Sequence, residues 1–267
     1  MERARNTSKG KRTASGSMPA ASSLDPAYAV ILPTYNEREN LPFVVELIHQ
    51  AFSSVSLADR YHLVIVDDNS PDGTLQVARA LQKLYGEERL TLAPRSGKLG
   101  LGTAYRHGLQ RAPTACSRIF LFDADLSHNP LAIPAFIACM DKTQADIVTG
   151  TRYLGTGGVC GWGWKRKITS SAANLLTQWL LDPGVSDVTG SFRLYRREAL
   201  EQLLEAVHSR GYVFQMEAMV RATRQFQYHV AEVPIVFVDR MWYGQSKLGY
   251  REIVEYLLTL WQLVWLA

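Results

Sequence analysis

The sequence predicts an α/β fold: a mainly parallel central sheet with flanking helices. Three observations predict it. Short runs rich in Val, Ile and Leu alternate with longer helix-like segments over the first 150 residues. These runs lack polar alternation, as strands buried on both faces do. Several end directly in acidic or polar residues, at the carboxyl ends where open α/β sheets take ligands. The composition agrees: 267 residues, 47% hydrophobic and 20% charged, match a globular domain and exclude a wholly disordered chain.

In order, strands are expected over 28–32, 62–66, 89–92, 119–122 and 146–149. Helices are expected over 38–52, 75–85, 102–110 and 131–140. After Gly150 the rhythm breaks. Residues 155–163 (GTGGVCGWG) hold five glycines, which reads as a loop without regular structure and a candidate lid. An amphipathic helix follows over 165–181. Its first turn carries Lys165, Arg166 and Lys167, which oppose the helix dipole and so suit a solvated face, an anionic ligand or a lipid headgroup. A last strand-like run covers 230–238, and a final helix starts near Gly249.

The ends differ in kind. Within residues 1–17, Arg3, Arg5, Lys9, Lys11 and Arg12 face Glu2 alone and account for the whole formal charge of +4. Residues 1–26 therefore read as a basic, disordered arm. The charge-balanced body gives no reason to expect a nucleic-acid partner. The final stretch YLLTLWQLVWLA is uncharged but shorter than the roughly 20 residues a spanning helix needs. Trp261 and Trp265, one helical turn apart, suit an interfacial helix or half of an interface with a membrane partner; a final helix packed on the core is the other expectation. Cys116, Cys139 and Cys160 form no CxxC pair, which argues against a disulfide scaffold or a zinc site.

The chemistry concentrates at strand ends. Asp123-Ala124-Asp125 follows the apolar run IFLF. Two carboxylates two residues apart repel unless a divalent cation lies between them, and Mg²⁺ or Mn²⁺ takes carboxylate and phosphate oxygens. The pattern suggests a nucleoside-diphosphate-sugar site. Pro33-Thr34-Tyr35-Asn36-Glu37 ends the first strand: Tyr35 could stack a base, Glu37 could accept from a base or ribose, and Asn36 could cap the following helix. Asp67-Asp68-Asn69-Ser70-Pro71-Asp72-Gly73 ends the second, with Asp68 placed to accept from a base or ribose and Asp72 as a cap. Gly100-Leu101-Gly102 lacks the third glycine of a dinucleotide fingerprint, which excludes a nucleotide-binding dehydrogenase, and reads as a packing turn. Arg152, Arg240 and Lys247 follow strand-like runs and suit phosphate oxygens.

The blocks LPTYNERENLP, VDDNSPDGT, KLGLGTAYRHG, DADLSHNP, TGTRY, DVTGSFRLYRREAL, GYVFQMEA and VDR…SKLG, in this order from about residue 28 to 249, resemble the dolichol-phosphate mannosyltransferases of glycosyltransferase family 2. The resemblance implies a GT-A domain over 27–248 and a C-terminal membrane-associated helix over 249–267. It implies metal-dependent transfer of mannose, with inversion, from GDP-mannose to dolichyl phosphate. It further implies the cytosolic face of the endoplasmic reticulum membrane, a role in protein glycosylation and GPI-anchor synthesis, and membrane attachment either by the chain's own C-terminal segment or by small membrane-anchoring subunits as partners.

Carried over residue by residue, Pro33, Tyr35, Glu37, Val66 and Asp68 fall where the family holds the guanosine. Asp123, Ala124 and Asp125 match the metal and sugar-phosphate site, with Asp123 and Asp125 as metal ligands. Arg152, Arg240 and Lys247 match the cations around the donor and acceptor phosphates, and with Asp125 they form the catalytic set. Ser127 stands where some relatives carry a Gln metal ligand. The stretch VDRMWYGQSK is one residue longer between Arg240 and Lys247 than the family pattern. Glu217 is a reserve base, needed only for a hydroxyl acceptor. Two other functions fit the residues less fully: a polyprenyl-phosphate glucosyltransferase using UDP-glucose, and a non-catalytic membrane-associated nucleotide-binding protein.

Overall fold

The computed structural model describes residues 26–161, 163–209, 211, 213–239 and 250–265. In chain order the strands are β1 (Tyr28–Thr34), β2 (Tyr61–Asp67), β3 (Leu90–Leu92), β4 (Arg118–Leu121), β5 (Ile147–Thr151), β6 (Gly158–Cys160), β7 (Arg193–Arg196), β8 (Val230–Pro234) and β9 (Val236–Val238). The helices are α1 (Leu41–Ser53), α2 (Thr74–Tyr85), α3 (Leu101–Leu109), α4 (Ile133–Thr143), α5 (Trp164–Leu181), α6 (Arg197–Ala206), α7 (Phe214–Val220) and α8 (Tyr250–Val264). A π-helical turn, Arg221–Gln225, continues α7.

Among the described residues, seven strands form one sheet in the order β3-β2-β1-β4-β7-β5-β8, and β6 pairs with β9 in a separate parallel ribbon. Parallel pairing joins β3, β2, β1 and β4, and also β5 and β8. Of these seven described strands β7 alone runs antiparallel to its neighbours, between β4 and β5.

Alternation along the strands builds two cores. Val30, Leu32, Leu63, Ile65, Phe120 and Leu194 face α1, α2 and α4, while Ile31, Val64, Val66, Ile119, Leu121 and Tyr195 face α3, α6, α7 and α8. Burial on both faces explains why the strands read as continuous apolar runs. The second layer packs closely against the sheet. A Cβ on Gly108 of α3 would come within 2.5 Å of Ile31 Cγ2, and one on Gly102 within 2.7 Å of the Phe214 ring. Gly100 sits at φ 98 just before α3, so Gly100-Leu101-Gly102 is the packing turn expected.

Four differences from the sequence reading have physical reasons. Helix α1 begins at Leu41 rather than 38, because Asn36 turns at φ 61 and Pro42 is accommodated only in a first turn. Asn36 therefore does not cap it; Asn40 stands at the helix start. The run 230–238 divides at Pro234 and Ile235. Ile235 N–H donates to Thr151 O at 2.9 Å while its carbonyl accepts from Gly158 N–H at 3.0 Å, so the chain leaves the main sheet there for the ribbon. That ribbon also places a short strand, β6, inside the glycine-rich stretch read as irregular. Of the arm expected over 1–26, Pro26 is the first residue described, and 1–25 lie outside the described residues. The side chains of Lys165, Arg166 and Lys167 lie outside them as well.

Helices α5 and α8 pack together. The Tyr256 hydroxyl donates to Ala173 O at 2.9 Å and meets the Thr177 hydroxyl. Both helices expose large apolar side chains: Trp164, Ile168, Leu175 and Trp179 on α5, and Leu258 and Trp261 on α8, with Trp265 exposed just past its end. Among the described residues no helix is long and apolar enough to cross a membrane.

Candidate active site

Since β1, β2, β4 and β5 run the same way, their carboxyl ends open on one edge of the sheet. Tyr35, Asp68, the Asp123–Asp125 pair and Arg152 all emerge there, as their strand-end positions predict.

The β1 and β2 ends are tied by Asp67. Its Oδ1 accepts from the Thr34 hydroxyl at 3.1 Å and the Ser70 hydroxyl at 2.6 Å, and its Oδ2 accepts from Ser70 N–H at 3.0 Å. Asn36 N–H in turn donates to Ser70 Oγ at 3.1 Å. Gly73 holds the cap position of α2, and Asp72, one residue earlier, supplies the acceptor there. It accepts from Thr74 N–H at 3.0 Å and the Thr74 hydroxyl at 2.6 Å. Glu37 is buried and accepts from Asn40 Nδ2 at 2.8 Å. Pro33 and Val66 stand opposite each other in the β1–β2 register. The Val66 side chain lies in the core, so any contribution it makes to a ligand comes from its backbone.

Two cations complete this side. Lys98 Nζ lies 3.3 Å from the Tyr35 ring centroid, a cation–π contact on the aromatic face expected to stack a base. Arg95 grips Asp68 in a fork, Nε to Oδ1 and Nη2 to Oδ2, both at 2.6 Å, and donates from Nη1 to the Thr103 hydroxyl at 2.8 Å. Burial raises the Asp68 pKa above its ordinary value, with Arg95 opposing the rise.

The carboxylate pair follows β4. Asp123 Oδ2 accepts from the Ser191 hydroxyl at 2.7 Å, and Ser191 Oγ lies 2.9 Å from His128 Nε2. Burial pushes the His128 pKa down to about 4; the charge of Arg152 adds to this, while those of Asp125 and Asp187 oppose it. Asp125 is buried and accepts from Ser127 N–H at 3.0 Å, and Ala124 is buried between the two. Ser127 Oγ is buried with no hydrogen-bond partner among the described residues. Two carboxylates and an orphaned hydroxyl are the hard oxygen donors that Mg²⁺ or Mn²⁺ takes, with phosphate and water oxygens filling the other positions. The site fits such an ion, and Asp123 and Asp125 would hold it.

At the end of β5, Arg152 is buried against Asp187. Nε donates to Oδ2 at 2.7 Å and Nη2 to Oδ1 at 2.8 Å; Nη2 also donates to the Thr189 hydroxyl at 2.6 Å. Burial alone would raise the Asp187 pKa, but the Arg152 hydrogen bonds and charge hold it below the usual carboxylate value. The segment is braced from behind by Arg193, fully buried on β7, which donates from Nη2 to Val188 O at 2.9 Å.

Arg240 and Lys247 lie outside the described residues. Glu217 does not join this edge. It is buried, accepts from Arg221 Nε at 2.7 Å and Ser209 N–H at 2.8 Å, and these bonds hold its pKa down against burial. Its role is structural, between α7 and the loop before it. Sequence reasoning missed Arg95, His128, Asp187 and Ser191 as site residues. The last three stand inside the blocks DADLSHNP and DVTGSFRLYRREAL, so a signal was present, but their partners are distant in sequence.

This architecture, with carboxylates at the end of a central strand of a mostly parallel sheet flanked by helices, is that of a GT-A-like glycosyltransferase. The chain belongs to glycosyl transferase family 2, whose model matches residues 29–204. It is 40% identical over 228 residues to a polyprenol monophosphomannose synthase of Mycolicibacterium smegmatis, covering 85% of this chain and 82% of the relative. It is 34% identical over 224 residues to an undecaprenyl-phosphate mannosyltransferase of Micrococcus luteus, covering 82% and 86%. Its fold is similar to that of a mannosyltransferase from Pyrobaculum calidifontis, solved in complex with GDP-Man and Mn²⁺, with a TM-score of 0.56 and 18% identity over 91% of this chain and 64% of that one.

Proposed function

We propose that this glycosyltransferase moves mannose from GDP-mannose to a polyprenyl phosphate, dolichyl phosphate in the fullest form of the reading, with inversion at the anomeric carbon. The observation that carries it is the meeting at one sheet edge of Asp123 and Asp125 with Tyr35 and Asp68 on one side and Arg152 on the other. The names of the two bacterial relatives support both mannose and a polyprenyl phosphate. The P. calidifontis complex supports a GDP-linked donor and a divalent ion.

In this reading Tyr35, Glu37, Asp68 and the Pro33 and Val66 backbone hold the guanosine. Asp123 and Asp125 hold a divalent ion, Mg²⁺ or Mn²⁺, which when bound neutralises charge on the leaving diphosphate. The acceptor's phosphate oxygen forms a bond to the anomeric carbon as the bond to the donor's β-phosphate breaks, and GDP departs with the electron pair. The transition state is oxocarbenium-like. No general base is required, because the attacking oxygen is already anionic near neutral pH. Arg152, together with Arg240 and Lys247, steadies two negative groups that would otherwise repel each other.

An isoprenoid acceptor requires work at a membrane surface, and the exposed tryptophans of α5 and α8 support a shallow interfacial seat. We propose further that the enzyme works at the cytosolic face of the endoplasmic reticulum membrane and supplies mannose for protein glycosylation and GPI anchors, attached either by its own C-terminal helix or by small membrane-anchoring subunits.

A donor and acceptor matrix tests the reading: GDP-mannose against UDP-glucose, and dolichyl phosphate against undecaprenyl phosphate, each with Mn²⁺. Mannosyl transfer to either lipid supports it. Transfer from UDP-glucose alone would assign the chain to the glucosyl reaction instead.

A further inference from the structure

We propose that His128 and Ser191 are positioning residues for Asp123, fixing which way its carboxylate faces a bound metal–diphosphate. This rests on the reading of Asp123 and Asp125 as the metal site. The three side chains form a relay between distant segments. The Ser191 hydroxyl has one proton, and a carboxylate can only accept, so that proton lies in the 2.7 Å contact with Asp123 Oδ2. Ser191 Oγ must then accept from His128 Nε2–H across 2.9 Å.

The tautomer follows. With the proton on Nε2, the other ring nitrogen is bare. His128 Nδ1 is indeed buried without a hydrogen-bond partner among the described residues. Leaving a buried acceptor unsatisfied is unfavourable. Packing alone would be better served by an apolar ring, since His128 sits between Phe192 and Phe237 with centroids 5.6 and 5.1 Å away. What the imidazole adds is the donor to Ser191. Side chains that orient metal ligands in this way commonly change metal affinity when removed.

The test is Mn²⁺ binding in the presence of GDP, followed by the electron paramagnetic resonance signal of free Mn²⁺, so that no turnover is needed. The variants are Ser191→Ala, His128→Phe and His128→Gln, each compared with the unaltered chain by thermal melting. Loss of the relay should weaken Mn²⁺ binding about 10- to 100-fold in Ser191→Ala and His128→Phe. His128→Gln, whose amide N–H reaches a similar point, should recover much of it. Ser191→Ala binding Mn²⁺ as tightly as the unaltered chain would overturn the relay, as would a glutamine variant no better than phenylalanine. If His128→Phe does not fold, Ser191→Ala decides. An unaltered chain that binds no Mn²⁺ with GDP defeats the metal-site reading and the relay together; binding that all variants share defeats the relay alone.

Discussion

Arg152 and Asp187 meet through two near-parallel hydrogen bonds of 2.7 and 2.8 Å, with side chains 6% and 0% exposed. The pair joins the end of β5 to the segment before β7, and it fixes the plane of a guanidinium proposed to face phosphate.

Removing one partner should therefore cost more than a surface ion pair would. Asp187→Ala leaves a buried cation uncompensated, and about 3–5 kcal/mol of stability should be lost in chemical denaturation. The double variant Asp187→Asn, Arg152→Met should regain part of that stability, because it removes both buried charges while the amide oxygen still accepts from the Thr189 and Gly190 N–H groups. It should not regain mannosyl transfer. Recovery of transfer would remove Arg152 from the reaction.

Arg95 should govern donor affinity through Asp68. In Arg95→Met the carboxylate loses both of its charged hydrogen bonds, and its pKa should rise further. A charged hydrogen bond is worth about 1.5–3 kcal/mol, so KM for GDP-mannose should rise about tenfold or more while kcat changes less. Unchanged KM would make the pair purely structural.

The exposed indoles should matter for membranes and not for folding. Trp179→Ser with Trp261→Ser should shift melting little, since both side chains are mostly exposed, at 79% and 64%. Sedimentation with anionic phospholipid vesicles should fall. Equal co-sedimentation of the variant would dismiss these helices as the membrane seat.

His62 gives a pH signature away from the site. Its ring contacts Glu88 O at 2.9 Å and Thr91 Oγ1 at 2.8 Å, and burial lowers its pKa below the ordinary 6.5. The unfolded chain therefore takes up the proton first as pH falls. Stability contributed by the neutral ring is complete above about pH 6.5 and is lost as pH drops toward the folded pKa. Melting temperature should fall less steeply between about pH 7 and 5 in His62→Gln than in the unaltered chain. Identical slopes would show that His62 does not titrate with unfolding.

The parallel strands and the edge they share were legible because burial on both faces writes itself as apolar runs. Asp123, Asp125, Tyr35 and Asp68 were legible because each closely follows such a run. β7 was not: RLYR begins and ends with arginine, and nothing local reveals that Arg193 is fully buried. Arg95 and Asp187 were hidden for a related reason. Each matters through a partner brought close by the fold, 27 residues away for Asp68 and 35 for Arg152. The division of 230–238 turned on Ile235, whose N–H bonds to Thr151 in the main sheet while its carbonyl accepts from Gly158 in the ribbon, a change of partner that a hydrophobicity pattern does not register.

The antiparallel β7 has a consequence for how the enzyme is made. β4 and β5 are not paired with each other; each is paired with β7. As the chain emerges from the ribosome, β1 to β4 can assemble, but β5 has no place beside them until residues 193–196 arrive. The same late segment delivers Asp187 to Arg152 and Ser191 to Asp123. Joining β5 to the first four strands and bracing Asp123 and Arg152 are thus one event in biogenesis, and a nascent chain halted before β7 carries the carboxylates without their supports.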